Sequence, residues 1–415
     1  MPVAPTSIAL QGALVCDGSA PPTEATVVIE GATIRAVQPA RAAAPLPPDA
    51  RVLDLRGHLL VPGLIDVHTH LLSGGDTSTG AYDRELLKDS LPLRTLRAAA
   101  HARMAIDHGF LTMRDVCTEG AAFADVALRD AVAAGLCEGP RILPSGPGIG
   151  ITGGYLPTGF APGVCVPSGC ALVDGADAAR REVRLPASHG VAWIKVFADW
   201  FYVDPTTGGS VDRPTFTRGE LDAIVDEAKR RGLRVAAHAT SDAGARQAIA
   251  CGVASIEHLG PLTGETLDAA AAGGVVLVPT LSVLEHGLNA AVDDKRRARS
   301  RQRMDTVALS FARALASGVR IACGTDIGCY PHASGSMSEV RLMIELGMAP
   351  LDALRAATAE GAALLGLPDI GRIAEGATAD LCAFPLDRTG ADLAATLIGS
   401  PPSFVVQGGR LVRGG

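Results

Sequence analysis

Two histidines, His68 and His70, stand two residues apart in the apolar run LIDVHTHL. Side chains at positions i and i+2 of a strand point to the same face, so the two imidazoles can hold one metal ion between them. The chain has 10 histidines in 415 residues, and an HxH pair is therefore a modest signal by itself. Two ordinary polar residues at a strand end are the alternative interpretation.

Further polar residues lie at or near the ends of other apolar runs. They are Lys195 in WIKVF, His238 in RVAAHA, His258 in ASIEHL and Asp326 in RIACGTD. Burying so many ionisable groups without a compensating ion is costly. If the runs are parallel strands, their carboxyl ends meet at one edge. The pattern therefore predicts one metal site to which all these side chains contribute.

The lysine in this set needs its own explanation, because an ammonium group would be repelled by a bound cation. A lysine amine can react with CO₂ to give a carbamate, an anion that can bridge two metals. Desolvation favours the neutral amine that this reaction needs. We therefore predict that Lys195 is N6-carboxylated. An ordinary strand lysine with its head in solvent is the alternative, and the apolar neighbours in WIKVF argue against it.

The elements that must position these residues alternate between short apolar runs and helical patterns over residues 62–370. The runs are LIDVHTHL, FLTMRDV, RILPSG, WIKVF, RVAAHA, ASIEHL, VVLVPTL and RIACGTD. One helix between them has a capping-box signature at Thr217 and Glu220, and Gly232 closes its end. Eight such units in about 300 residues predict an α/β fold, a (β/α)₈ TIM-like barrel with its active site at the carboxyl ends of the strands.

Both ends of the chain are instead typical of short β-strands. We predict a small β-sandwich domain composed of residues 1–61 and 371–415, since chain termini often lie close together. A hairpin is expected around Gly408 and Gly409.

Composition limits the partners and the location of the chain. The net charge is −7 and there is no long basic run, so no nucleic-acid partner is expected. No segment approaches the roughly 18 consecutive apolar residues that span a bilayer, and the N-terminus lacks the pattern of a signal peptide. The nine cysteines contain no CxxC pair. Cys165 and Cys170 are close enough to bridge, but the scattered, odd count favours reduced thiols and a cytoplasmic location without membrane association.

Several motifs together resemble the amidohydrolase superfamily: VPGLIDVHTH, VAAHA, IEHLG, GTD and GRIAEGATADL. The resemblance runs from about Gly31 to Arg413. Within the superfamily, WIKVF, GPRILPSG and MSEVRLMIELGMAPLDALRAAT are similar to the imidazolonepropionase-like group, which includes Xaa-Pro and other dipeptidases with two metals.

The resemblance implies a specific ligand set. His68, His70 and Asp326 would hold a first divalent metal, His238 and His258 a second, and carboxylated Lys195 would bridge them together with a hydroxide. Histidine and oxygen ligands suit Zn²⁺. Asp326 would be the catalytic residue that accepts the proton of the metal-bridging hydroxide and delivers it to the leaving amine.

The expected activity is cleavage of an amide or peptide bond in a small molecule of the dipeptide, Xaa-Pro or N-acyl amino acid class. Relatives often self-associate, so a homo-oligomer is also expected. One alternative is a mononuclear cyclic-amide hydrolase or deaminase of the imidazolonepropionase type. Such enzymes generally carry a glutamate where this chain has Thr240 and Ser241. A non-catalytic scaffold is a further alternative, although such relatives typically lose ligands.

Six residues in predicted loops and strand ends are candidates for substrate contact. Relatives commonly have GGH where this chain has Gly153-Gly154-Tyr155. Two insertions, 161–175 and 198–214, are expected to shape the pocket. The charged run from Asp293 to Arg303 is expected to be a solvated helix face. Each candidate residue has an alternative interpretation. For Arg114 it is an internal ion pair, and for the others it is ordinary packing. The candidates are Arg114, Tyr155, Tyr202, His286, Tyr330 and His332.

Overall fold

The computed structural model describes residues 7–42, 44–161, 163–204, 206, 210–386 and 392–414. Parts of the expected N-terminal segment, of the insertions 161–175 and 198–214, and of the C-terminal sandwich segment lie outside these residues. The strands are β1 (Ser7–Val15), β2 (Thr23–Glu30), β3 (Thr33–Pro39), β4 (Arg51–Asp54), β5 (His58–Pro62), β6 (Leu64–Thr69), β7 (Phe110–Asp115), β8 (Arg141–Pro144), β9 (Ile149–Gly150), β10 (Ala171–Leu172), β11 (Trp193–Phe197), β12 (Asp199–Val203), β13 (Ser210–Pro214), β14 (Arg234–His238), β15 (Ser255–Glu257), β16 (Val276–Val278), β17 (Leu381–Pro385), β18 (Phe404–Gln407) and β19 (Arg410–Arg413).

The helices alternate with the strands of the middle region and follow them towards the C-terminus. They are α1 (Ala81–Lys88), α2 (Leu91–Asp107), α3 (Ala124–Ala133), α4 (Ala176–Ser188), α5 (Arg218–Arg230), α6 (Asp242–Cys251), α7 (Gly264–Gly273), α8 (Leu281–Asn289), α9 (Asp294–Ser317), α10 (Met337–Glu345), α11 (Pro350–Ala356), α12 (Ala359–Leu365) and α13 (Leu393–Gly399). The mixed α/β content expected from the sequence is thereby confirmed.

One compact unit comprises Met1–Asp66, Met104–Thr112 and Ser336–Gly415. Its main feature is a sheet with the strand order β19-β18-β17-β5-β1-β2-β3, in which β4 pairs with β1. Strands from both ends of the chain meet here, because β17 is antiparallel to β5. The sheet is held by a core of buried aliphatic side chains that includes Leu10, Val27, Leu60, Leu381 and Val406.

The predicted C-terminal hairpin is confirmed. β18 and β19 are antiparallel neighbours, joined at Gly408 and Gly409. Both glycines have positive φ angles, 54° and 75°. A two-residue turn of this kind needs the left-handed region at both central positions, which glycine adopts without steric cost.

The second compact unit comprises Val67–Arg103 and Met113–Gly335. It contains a sheet of order β10-β9-β11-β14-β15-β16, in which neighbouring strands are parallel. The last three residues of β6 and of β7 also belong to this unit, and these strands form a sheet with β8. Fully buried, β-branched and aliphatic residues dominate these short strands, as parallel strands covered on both faces require.

Seven of the eight predicted apolar runs contain a described strand. The eighth, residues 320–326, forms isolated bridges instead, with Ile321 opposite Leu277 and, just beyond it, Ile327 opposite Thr69. The reason is local. Asp326 has a φ of 63°, in the left-handed region, which interrupts a strand at the residue that the run was expected to present.

The helix predicted from Thr217 onwards is confirmed as α5. The Thr217 side chain accepts a hydrogen bond from the backbone N–H of Glu220, and the Glu220 side chain accepts one from the backbone N–H of Thr217. Gly232 follows the helix end with a φ of 71°. All nine cysteines are free, so no bridge joins Cys165 to Cys170. Among the described helices, none has both the length and the apolar character needed to cross a bilayer. The cytoplasmic location stays a prediction.

Candidate metal centre

The ends of neighbouring strands bring the predicted ligands together in the second unit. His68 lies in β6, Lys195 in β11, and His238 is the last residue of β14. His258 follows β15 directly. Because β11, β14 and β15 run parallel, the residues towards their carboxyl ends share one edge.

Four imidazole rings form a continuous row at this edge. The ring centroids of His70 and His68 are 5.4 Å apart, those of His68 and His258 4.8 Å, and those of His258 and His238 4.5 Å. The four histidines predicted from the sequence therefore lie next to one another at one place in the fold.

His68, His70 and Asp326 are a buried group whose ligand atoms all lie within 4.8 Å of one another. The Oδ1 atom of Asp326 is 3.1 Å from Nε2 of His70 and 3.5 Å from Nε2 of His68. Two imidazole nitrogens and one carboxylate oxygen at such separations suit a divalent cation with nitrogen and oxygen ligands.

Hydrogen bonds from Nδ1 fix the orientation of three of the four rings, those of His70, His68 and His258. Nδ1 of His70 donates to the backbone carbonyl of Cys117 at 3.0 Å. Nδ1 of His68 lies 2.7 Å from the Glu257 carboxylate. Nδ1 of His258 lies 2.8 Å from the hydroxyl of Thr280. With Nδ1 so engaged, Nε2 is the ring atom that could contact a metal, an arrangement that metal-binding histidines share.

The protonation of the rings is set by burial and by Asp326. Burial, followed by the charge of Lys195, lowers the pKa of His68 to about 4, and burial also holds the pKa values of His238 and His258 well below the usual range. These lowered pKa values favour the neutral form of the three rings, which is the form that binds metals. Burial lowers the pKa of His70 too, but Asp326 outweighs it and raises the pKa to about 9. The Asp326 carboxylate thus attracts a positive charge, which a metal ion can supply in place of a proton.

Lys195 is 1% exposed. Burial lowers the pKa of its ammonium group. Among the described residues, no carboxylate oxygen lies within 4.0 Å of its nitrogen, and the ring of Phe197 is 5.5 Å away. A buried ammonium without an ion pair is unfavourable, so the surroundings of Lys195 fit a group that is not a free cation.

Backbone strain is concentrated at this centre. His258 and Asp326 have φ angles of 70° and 63°, and neither is glycine. Such conformations cost on the order of 1–3 kcal/mol each and persist where the surrounding structure enforces them, often at functional sites.

A buried ion pair lies behind the first histidine. The Glu257 carboxylate accepts hydrogen bonds from Arg114 at 2.7 Å and from the hydroxyl of Ser255, while Arg114 stacks over Trp193 at 4.4 Å. Burial alone raises the pKa of Glu257, but Arg114 and His68 outweigh it and hold the pKa at about 2. Glu257 is therefore an anion that holds the ring of His68.

Glu257 was missed in the sequence, although a charged residue inside the apolar run ASIEHL is a usable signal. Arg114 was recognised as charged, with substrate contact and an internal ion pair as its two interpretations. The structure places its guanidinium in the pair with Glu257, fully buried, and away from the cavity described next.

A cavity of about 420 Å³ opens onto the centre. Of the candidate substrate contacts, Tyr155 lines this cavity, whereas Arg114, Tyr202, His286, Tyr330 and His332 are not among the described lining residues. His286 stacks on Tyr330 at 5.0 Å, and His332 stacks on His101 at 3.6 Å. Apolar surface is supplied mainly by Leu156, Phe197, Trp200, Leu259, Val283 and Leu284.

A second group that the sequence did not reveal surrounds Glu119. Its carboxylate accepts hydrogen bonds from Tyr155 at 2.7 Å and from Tyr82 at 2.8 Å, and all three residues line the cavity. Gly169 makes room for this group, since a Cβ there would lie 1.7 Å from the Tyr82 hydroxyl. No local pattern links these residues, which come from three separate stretches of the chain.

Comparison with known proteins now gives the family. The model of the amidohydrolase family matches residues 59–411. The chain belongs to the amidohydrolase family. The family resemblance seen in the sequence is thereby confirmed, and so is the expectation of an enzyme, a hydrolase acting on carbon–nitrogen bonds. Family members typically depend on metals, and the triad of His68, His70 and Asp326 is consistent with this.

Three similar proteins show the range of chemistry near this amidohydrolase. Ochratoxinase from Aspergillus niger is 30% identical over 394 residues, which cover 86% of this chain and 76% of that protein. Imidazolonepropionase from Anaeromyxobacter dehalogenans is 30% identical over 358 residues, covering 80% and 76% of the two chains. The crystal structure of a Xaa-Pro dipeptidase with methionine bound in its active site has a TM-score of 0.85 and 28% identity, covering 98% of this chain and all of that one.

Proposed function

We propose that this amidohydrolase cleaves an amide or peptide bond of a dipeptide, Xaa-Pro substrate or N-acyl amino acid at a centre of two divalent metals. The observation that carries the proposal is the position of Lys195. It is buried in the same cavity as His238, His258 and Asp326, and no carboxylate of the described residues lies within ion-pair distance of it. A carbamate on its nitrogen would replace an unfavourable buried cation by an anion that two metals can share.

The proposed ligands divide into two sets. His68, His70 and Asp326 would hold the first metal, and their Nε2 and Oδ1 atoms already lie 3.1–3.5 Å apart. His238 and His258 would hold the second, with the carboxylated Lys195 between them. Nitrogen and oxygen donors of this kind suit Zn²⁺. When bound, such metals activate water near neutral pH and polarise a carbonyl group.

Asp326 is the residue that we assign to proton transfer. Although burial raises its pKa, the hydrogen bond from His70 and the charge that the imidazoles can carry hold it well below the usual range, so the carboxylate is ionised. Its Oδ2 atom is 3.9 Å from Nδ1 of His258, on the side away from its contact with His70. From there it can accept a proton from the attacking water and return it to the leaving amine, as general acid–base catalysis requires.

The proposed architecture comprises a closed (β/α)₈ barrel and a small β-sandwich. Hydrogen bonds of the segment 320–326 support closure, because Leu277 in β16 donates to the carbonyl of Arg320 and Val67 in β6 donates to that of Cys323, both at 2.9 Å. Ala192, next to β11, donates to the carbonyl of Pro144 in β8 at 2.8 Å. These bonds would connect the sheet β6-β7-β8 with the parallel sheet that contains β11 and β16, on both sides.

The substrate class is supported by the cavity and by the relatives. The walls of the cavity combine aliphatic and aromatic side chains with a few polar groups. This combination suits a substrate that has both an apolar amino acid side chain and a polar amide group. A free amino acid, methionine, occupies the active site of a similar Xaa-Pro dipeptidase.

The imidazolonepropionase-like alternative is kept because of the sequence similarity to such an enzyme. At the positions where a glutamate is expected for that reaction, Thr240 and Ser241 instead donate backbone hydrogen bonds to the Asp199 carboxylate, at 3.0 Å and 2.6 Å. They therefore provide no carboxylate of their own, which favours the binuclear proposal.

The test combines metal analysis with a substrate panel. Purified protein loaded with Zn²⁺ should contain two metals per chain and hydrolyse members of a panel of dipeptides and N-acetyl amino acids. Lys195→Ala should lose metal and activity, and a short carboxylic acid such as propionate should restore part of both by replacing the carbamate. Lys229→Ala, on the exposed side of α5, is the matched control and should change neither. One metal per chain with turnover of cyclic amides alone would favour the alternative.

A further inference from the structure

The charges around the cavity are unequally compensated. Apart from Asp326, its acidic side chains have partners: Asp76 pairs with Arg84 at 2.9 Å, Glu85 with Arg94 at 3.3 Å, and Glu119 accepts from two tyrosines. These three carboxylates are therefore already paired with arginines or with tyrosine hydroxyl donors of the protein.

Arg303 is different. It lies on α9 and lines the cavity, and apart from Lys195 it is the single lysine or arginine among the described lining residues. No described carboxylate lies within 4.0 Å of its guanidinium, and the side chain is exposed. The run Asp293–Arg303 was expected to be a solvated helix face, yet this member of it, together with Ser300, faces the cavity.

An apolar wall lies beside this free charge. Trp200, Val283 and Leu284 line the same cavity as Arg303. The indole N–H of Trp200 is buried and has no hydrogen-bond acceptor within the described part of the chain. Buried donors are rarely left without an acceptor, so this N–H has an unused capacity to donate a hydrogen bond.

The rest of α9 strengthens the local field. The start of this helix contains six basic residues and two acidic ones, Asp293 and Asp294. The basic residues are Lys295, Arg296, Arg297, Arg299, Arg301 and Arg303. A concentration of one sign of charge at the opening of a cleft raises the local concentration of oppositely charged ligands.

We propose that Arg303 is a specificity-determining residue that binds the free carboxylate of the amide substrate. A guanidinium matches a carboxylate in two parallel hydrogen bonds, which gives direction as well as charge. The carboxylate at Arg303 would leave the side chain of the amino acid against Trp200, Val283 and Leu284, and the amide towards the row of imidazoles. This inference rests on the proposed function for the identity of the reacting bond, but it makes a separate claim about recognition.

Two probes test recognition apart from turnover. N-acetyl-D-methionine and its C-terminal amide differ in the carboxylate charge, and titration calorimetry measures their binding to the metal-loaded enzyme. The wild type should bind the acid about ten- to hundredfold more tightly than the amide, since hydrogen bonds to charged groups are worth that much. Arg303→Gln should abolish the difference by weakening the acid alone, and Arg303→Lys should keep part of it.

Arg301→Gln is the matched control, because Arg301 is exposed on the same helix and does not line the cavity among the described residues. It should lower the preference for the acid only slightly, because it removes one exposed charge of the cluster, which solvent and salt screen, and no direct contact. Equal binding of acid and amide by the wild type, or an unchanged preference in Arg303→Gln, would overturn the inference.

Turnover separates the two proposals. With N-acetyl-L-methionine and L-methionyl-L-proline, kcat/KM of Arg303→Gln should fall about ten- to hundredfold, while the rate for their C-terminal amides stays the same. If the wild type binds acids selectively but hydrolyses no member of the panel, the proposed reaction is wrong and the carboxylate site stands. If it hydrolyses acid and amide equally well, the reaction stands and the role of Arg303 is wrong.

Discussion

Nδ1 of His68 lies 2.7 Å from Oε2 of Glu257, although 189 positions separate the two residues in the chain. Glu257 is in turn held by Arg114, and all three side chains are fully buried. The orientation of this imidazole is therefore determined by protein groups.

Removal of metal should accordingly leave the fold in place. Treatment with a chelator is expected to abolish hydrolysis while the far-ultraviolet circular dichroism stays unchanged, because the hydrogen bonds to Glu257, Cys117 and Thr280 hold the rings without a cation. The melting temperature should fall, since a metal that binds the native state stabilises it. Addition of Zn²⁺ should restore activity. Loss of the dichroism signal on chelation would contradict this expectation.

Breaking the buried ion pair should be much more damaging. Arg114→Met leaves the Glu257 carboxylate buried without its cation, and the free energy of unfolding is expected to fall by about 3–5 kcal/mol. Urea denaturation measures the change. The control is Arg56→Met, which removes an exposed partner of Asp54 and should have little effect. If Arg114→Met has an equally small effect, the buried Glu257 carboxylate does not need Arg114 for stability, and the expectation is wrong.

Replacing Asp326 by asparagine should separate metal binding from proton transfer. Asp326→Asn keeps an oxygen that can contact a metal but loses the carboxylate that accepts a proton. We expect unchanged metal content and a kcat lower by about 10²–10⁴-fold, the usual contribution of general acid–base catalysis. Asp305→Asn, at an exposed position of α9, should retain the full rate. Full activity of Asp326→Asn would refute the assigned role.

Stability at acidic pH should depend on Glu227 in α5. Hydrogen bonds from Arg184, at 2.9 Å, and from Arg231, at 3.1 Å, lower its pKa from 4.5 to about 2. Because the pKa is lower in the folded state, the stabilisation is complete above pH 4.5 and disappears as the pH falls through 2.

Glu227→Gln should therefore lower the urea midpoint at pH 7, and the difference from the wild type should vanish as the pH approaches 2. Glu265→Gln is the control, since that side chain is 87% exposed and its carboxylate lies 3.9 Å from Arg246. A midpoint difference that persists at pH 2 would mean that Glu227 acts through packing and not through its charge.

Local patterns in the sequence predicted what local geometry determines. The capping box at Thr217 and the glycine pair of the C-terminal hairpin depend on neighbours in the chain, and both are confirmed. The histidines were found because each polar residue interrupts an apolar run at its end. Such an interruption is visible in sequence without knowledge of which strands are neighbours.

Partners from distant stretches were not predictable in this way. Glu257 is 143 positions from Arg114, and Glu119 is 37 and 36 positions from the two tyrosines that it binds. Nothing in the spacing of these residues indicates their pairing. The run from Asp293 to Arg303 is largely exposed, as predicted, but its sequence could not show that Arg303 also lines a cavity, since a charge run on a helix has the same pattern in either case.

The left-handed backbone at His258 and Asp326 implies a trade-off between the stability of the fold and catalytic activity in this enzyme. A glycine at either position would relieve the backbone strain and remove a proposed metal ligand in the same substitution. Laboratory evolution that rewards heat resistance alone would therefore tend to discard these two side chains, and a screen for improved variants must measure turnover in every round.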